Sequence, residues 1–229
     1  MKLEMGESLG FSWMKHVKRC QLVQTNWKVS PEWSDENSDA KERLQDIAEE
    51  IKKFYQETNN GGYYIFRGNA NLDQIFRQAE CDMIGCSINN GVASYYSLEV
   101  AYHGDTLNYN GRELTIAKVL SKLVKSAFIF YRYFGVTNAE IAFASPKVGN
   151  FADELTTAVE RLQDIFKPQG CDFIFKLYIN DGFKNELLDK VIGLSKEVKD
   201  TSELFLRSYQ LYNQFYQLPT TPATAASGK

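Results

Sequence analysis

The run CDMIGCSINNGVASYYSLEVAYH, residues 81–103, constrains the fold more than any other part of the chain. Strand side chains point alternately to opposite faces. This run alternates on both sides of NNG at 89–91, which reads as a tight hairpin turn. The expectation is an antiparallel pair, strands 82–89 and 92–103. In the second arm Tyr96, Leu98, Val100 and Tyr102 share one face, and Tyr95, Ser97, Glu99, Ala101 and His103 the other. A carboxylate at the centre of so apolar a strand either meets solvent or is paired. Desolvating it alone costs several kcal/mol.

The segments after the hairpin set the topology. Residues 114–134, LTIAKVLSKLVKSAFIFYRYF, form a long helix with Lys118, Lys122 and Lys125 on one face, and Gly135 stops it. AEIAFAS at 139–145 is a near-continuous apolar run, the mark of a parallel strand covered on both faces. The fold class is therefore α/β (α+β), a mixed β-sheet flanked by helices. A helix is expected over 6–24 from the spacing of Leu9, Trp13, Val17 and Cys20, with Glu7 in its first turn, where the helix dipole favours negative charge. A loop with Pro31 comes next, then a helix from Asp39 to Thr58 ended by NNGG, a short strand 63–67 and a short helix 72–80. Further on, a helix over 151–166, a strand within CDFIFKLYIN, and helix from Gly182 to Phe215 broken near Asp200 complete the pattern. One domain spans 1–216, with its core at about 63–180 and a helical extension at about 182–216. QLPTTPATAASGK, with no core-forming run, reads as a flexible tail or linker over 217–229.

Composition removes several function classes. A chain of 229 residues that is 44% hydrophobic can build a sizeable core, and a net charge of −3 argues against a chain-wide basic surface. No apolar run is long enough for a transmembrane helix, and the first twenty residues lack the apolar stretch of a signal peptide, so a cytoplasmic protein is expected. Cys20, Cys81, Cys86 and Cys171 form no CxxC pair, and the two histidines, His16 and His103, are far apart. Buried free thiols are expected rather than a zinc site or a cysteine nucleophile. Neither GxxxxGK[ST] nor GxGxxG occurs.

Carboxylates remain. Asp82 opens the first hairpin arm and Glu99 lies midway along the second, so the hairpin brings their strands side by side. Two converging carboxylates repel unless a cation lies between them, and hard oxygen ligands select Mg²⁺ (or Mn²⁺). Such an ion activates water and neutralises charge on a phosphate.

Here the stretch 82–145 resembles the core of the PD-(D/E)XK nuclease superfamily, in which an Asp begins one strand and a (D/E)xK tripeptide lies on the next. The resemblance implies a restriction-endonuclease-like core, with Asp82 and Glu99 as metal ligands and Glu7 matching a family glutamate of the first helix. The third tripeptide position is Ala101, where the family usually has a lysine that orients and deprotonates the attacking water. In some members a lysine from the following helix takes over, which points to Lys118 or Lys122. The implied function is Mg-dependent endonuclease cleavage of DNA, of the kind used in restriction or defence against foreign DNA. The alternative is a catalytically inactive module of the same fold that binds nucleic acid or a protein partner. A third reading is an α+β scaffold with a dimer seam.

Substrate-holding residues are suggested by Lys15, His16, Lys18 and Arg19 beside Trp13, and by Lys28 between Trp27 and Pro31. Cations fix phosphates and aromatics stack bases, although Trp13 and Trp27 are expected in the core rather than as a stacking platform. Leu204, Leu206, Leu211 and Phe215 offer more apolar area than one helix face needs, so a homodimer through the C-terminal helices is expected. A further domain or partner protein joined through the tail stays open.

Overall fold

Asn90 and Gly91 take φ of 50° and 79°, the left-handed pair a two-residue hairpin turn requires. In the computed structural model, which describes residues 4–30, 32–33, 38–57, 62–66, 72–77, 79–198 and 201–216, this hairpin is the middle of one sheet. The strands are β1 (Leu22–Lys28), β2 (Glu80–Asn89), β3 (Val92–Val100), β4 (Glu140–Ser145) and β5 (Ile174–Ile179), in the order β1-β2-β3-β4-β5. β1 and β3 run antiparallel to β2, while β3, β4 and β5 are parallel, so the sheet is mixed.

Helices cover both faces. On one side α2 (Ser38–Lys52), α3 (Leu72–Arg77), α4 (Arg112–Phe134) and α5 (Ala152–Phe166) pack through Ile47, Phe76, Leu123 and Leu162. On the other lie α1 (Met5–Ser12), α6 (Asp189–Leu194) and α7 (Leu204–Phe215), with Leu9, Val191 and Leu206 in a second core. β4 separates the two. Ile141 and Phe143 enter the first core and Ala142 and Ala144 the second, all of them buried. Its apolar run is that of a strand covered on both faces.

Several expectations need correction. The first helix ends at Ser12 and passes through a wider π-type turn, Trp13–Val17. Arg19 then reverses the chain with φ of 56°, and Leu22–Lys28 becomes an edge strand instead of helix and loop. Only Trp27 is buried along β1, so the strand carries little apolar alternation to announce it. Residues 63–66 form no strand, although Tyr63, Ile65 and Phe66 are buried; Arg67 lies outside the described residues. The helix begun at Leu72 ends at Arg77, and Glu80 belongs to β2. β3 ends at Val100, short of His103. Leu206 is fully buried within the chain, unlike Leu204, Leu211 and Phe215. Trp13 and Trp27 are core as expected, at 2% and 4% exposure. The tail at 217–229 lies outside the described residues.

Candidate active site

The β2–β3 ladder reaches Met83 opposite Leu98, and the same register carried one residue further sets Asp82 opposite Glu99. There the side chain replaces the backbone: Asp82 Oδ2 accepts the Val100 N–H at 2.9 Å. Glu99 is 1% exposed, which excludes a solvated face for it. A charge so placed must be compensated, and α4 supplies the partners. Lys122 Nζ donates to Glu99 Oε2 at 2.8 Å and to Asp82 Oδ2 at 3.1 Å. Ser126, one turn further on, donates to Glu99 Oε1 at 3.0 Å and accepts from the Cys81 thiol at 3.2 Å.

Burial and ion pairing oppose each other here. Burial pushes the Glu99 carboxyl up, to about 7, against the pull of the Lys122 ammonium and with a further push from Asp82. Burial alone would lower Lys122, but Glu99 and Asp82 together hold it well above the usual lysine range. Lys122 is therefore a fixed positive charge. Burial also raises the Cys81 thiol, and Glu99 beside it adds to the shift, so this cysteine is inert.

Glu7 approaches from α1. A Cβ on Gly6 would come within 2.9 Å of Val100 Cγ1 and Tyr102 Cβ, so only glycine lets the helix lie this close to the end of β3. Glu7 Oε2 accepts from the Glu4 N–H at 3.4 Å, and its carboxyl is raised first by burial and then in part by the Asp82 charge. Its dipole role and its place beside Asp82 thus coexist. Asn26, close to the Glu7 carboxyl, pulls it slightly the other way. With φ of 52° it interrupts the β1–β2 pairing between Thr25–Met83 and Trp27–Cys81, on the β1 flank of Asp82.

The structure separates the two candidate lysines. Lys122 joins the carboxylates, whereas Lys118 lies exposed with its ammonium 4.4 Å from the Tyr109 ring centre. The candidate substrate-holding cations are engaged inside the molecule. Lys15 and His16 each reach Glu203 Oε1 at 2.9 Å, Lys18 bonds Glu140 at 2.8 Å, and Lys28 pairs with Glu80 at 3.0 Å. Arg19 is exposed at the chain reversal. None of these side chains bonds Asp82 or Glu99. Ser126, Asn26 and Tyr109 are additions that sequence pattern alone did not single out. Only Ser126 had a signal, its spacing of four from Lys122 on one helix face.

Among the described residues no group of three or more His, Cys, Asp or Glu side chains is arranged to hold a metal. The donors that do converge, Asp82 and Glu99, are two hard carboxylates. That set suits Mg²⁺ or Mn²⁺, which bind through one or two carboxylates and leave other positions to water and phosphate, and it does not suit a closed zinc site. Such an ion would share the pair with Lys122. The chemistry within reach is stabilisation of negative charge and orientation of a water. No protein-family model, curated protein or solved structure matches the chain.

Proposed function

We propose that this protein is a metal-dependent nuclease that hydrolyses phosphodiester bonds in DNA, with Asp82 and Glu99 as ligands of Mg²⁺ or Mn²⁺. The observation that carries the reading is Lys122, which reaches from α4 to both carboxylates. On this reading it takes the part of the lysine missing at Ala101. A hairpin followed by α4 and the parallel strand β4 supports a restriction-endonuclease-like core. The metal would polarise the scissile phosphate and lower the pKa of a bound water. Lys122, held protonated, orients that water and offsets charge on the phosphate; it does not serve as the base. Glu7 adds negative charge on the Asp82 side. A cytoplasmic location and a homodimer through the exposed residues of α7 belong to the same reading.

A non-cutting module of this fold is favoured by one feature, the engagement of both Glu99 oxygens, one by the Lys122 ammonium and one by the Ser126 hydroxyl. The decisive experiment incubates the protein with plasmid and linear DNA in Mg²⁺, Mn²⁺ or EDTA, beside Glu99→Gln and Asp82→Asn. Metal-dependent cleavage lost in both variants is the expected result. DNA binding without cleavage in either metal would leave the binding module, and cleavage that persists in Glu99→Gln would remove this site.

A further inference from the structure

Between β3 and α4 the chain makes a loop, residues 101–111, that is fixed at several points. Leu107 is buried and its N–H donates to the Lys147 carbonyl at 2.8 Å. The Tyr109 N–H donates to Thr115 Oγ1 at 2.8 Å, and the Gly111 N–H to Asn108 Oδ1 at 2.8 Å. Tyr109 is thereby held half-buried, among charged and aromatic neighbours. The exposed His103 ring meets it edge-on at 5.5 Å, and the Lys118 ammonium lies over its ring. Its phenol is within electrostatic reach of Lys122, Asp82 and Glu99.

Lys118, like the exposed Arg19, differs from the other cations that the sequence pattern singled out. Lys15, Lys18, Lys28 and Lys122 each have a carboxylate partner, whereas no carboxylate among the described residues pairs with Lys118. An aromatic face holds it in place without neutralising it. It also sits one turn before Lys122, so their Cβ atoms are about 5–6 Å apart on the same helix face.

We infer that Tyr109 and Lys118 form a backbone-binding subsite, in which Lys118 contacts a phosphate neighbouring the one at the Asp82–Glu99 centre and Tyr109 positions Lys118. The inference rests on the phosphodiesterase reading of that centre for its ligand, a phosphodiester strand. Lys118 is on this account a binding residue, and the water-orienting role belongs to Lys122 alone. Exposed cations that neutralise phosphates release counterions, which gives each contact a measurable salt signature.

The test uses full-length protein and a short labelled DNA duplex in EDTA, so that binding is read without cleavage, over a range of salt. Relative to wild type, Lys118→Ala should make the log–log salt slope shallower by about 0.9, one phosphate contact. Lys118→Arg should keep the wild-type slope. Tyr109→Phe, which retains the ring, should also keep it, while Tyr109→Ala should move toward Lys118→Ala. Thermal unfolding of each variant checks that the fold is intact. A slope unchanged in a folded Lys118→Ala protein overturns the inference even if the protein cuts DNA. A shallower slope in a protein that never cuts with Mg²⁺ or Mn²⁺ supports the subsite and removes the hydrolytic reading instead. Wild-type protein that binds no DNA overturns both.

Discussion

Lys122 of α4 and Glu99 of β3 form a nearly buried ion pair at 2.8 Å, and the Glu99 side chain is only 1% exposed. Neither residue has a reason to be there without the other. A lone carboxylate in this position would have to take up a proton, and a lone ammonium would have to lose one. The pair also ties the long helix to the hairpin at the point where the strands part.

The pair makes a prediction about stability. Lys122→Met should lower the unfolding free energy by roughly 3–5 kcal/mol, because it leaves the buried Glu99 and the half-buried Asp82 side by side with no positive charge between them. Glu99→Gln keeps the shape but has one carbonyl oxygen where Glu99 uses two, so it can accept from Lys122 while its NH2 faces Ser126; it should cost less than Lys122→Met, about 1–2 kcal/mol. Combining the two should recover much of the loss, and denaturant melts of the four proteins give the coupling directly. A Lys122→Met protein as stable as wild type would show that the pair contributes nothing.

Metal affinity should depend on pH through Glu99. Burial disfavours the charged form and pushes the Glu99 carboxyl up from the ordinary 4.5, to about 7. A metal needs the ionised form, so binding must displace that proton. Mn²⁺ affinity followed by calorimetry should therefore rise about tenfold per pH unit below 7 and level off above it. The sign for the metal-free fold is opposite. The folded state holds a proton that the unfolded chain releases above 4.5, so this group's stabilising contribution is full below that pH and is lost as pH rises through 7. Affinity that is flat with pH would mean Glu99 is not a ligand.

Sequence pattern located the hairpin, α4, β4 and the pair Asp82–Glu99, since each rests on local signals: a turn dipeptide, a helical stripe, a two-sided apolar run. It narrowed the lysine only to Lys118 or Lys122, because both share one helix face and the choice depends on how the helix is rotated on the sheet. The sequence pattern reads Asp82 and Glu99 as repelling each other unless a cation lies between them, and the Lys122 ammonium is such a cation. β1 was illegible for a different reason. It is an edge strand with one buried residue, so its position comes from pairing with β2 and from the left-handed turn at Arg19. Tyr109 was illegible too, because it lies in a loop whose shape is set by bonds to Thr115 and by the anchoring of Leu107 on Lys147.

Self-association should occur through α7. Leu211 and Phe215 are 59% and 75% exposed, with Tyr212 and Tyr216 stacked beside them at 4.9 Å. Apolar side chains clustered in this way usually mark an interface. Light scattering at about 50 μM, a concentration that exposes weak pairs, should give a dimer for wild type. Leu211→Ser with Phe215→Ser should give a monomer. A wild-type monomer at that concentration would remove the dimer from the reading.

The attachment of α7 to the rest of the molecule gives the last prediction. Glu203, just before α7, is 6% exposed and accepts hydrogen bonds from Ser12 Oγ at 2.6 Å, Lys15 Nζ at 2.9 Å and His16 Nε2 at 2.9 Å. Ser8 Oγ accepts the Phe205 N–H at 2.9 Å, so α1 holds the start of α7 through two residues. Burial raises the Glu203 carboxyl, but the bonds from Ser12, Lys15 and His16 outweigh it and hold the group below its ordinary 4.5. A depressed carboxyl stabilises the fold above the unfolded value, and that contribution is lost as pH falls through the folded one. Glu203→Gln should therefore cost about 1.5–3 kcal/mol near neutral pH, the usual worth of hydrogen bonds to a charged group. The difference from wild type should shrink as pH drops below 4.5, where wild-type Glu203 is itself becoming neutral. Hydrogen exchange should show the loss first in α7 and in the C-terminal half of α1, because those are the segments the carboxylate joins. A variant whose stability gap stays constant down to about pH 3 would mean that Glu203 acts by packing and not by charge.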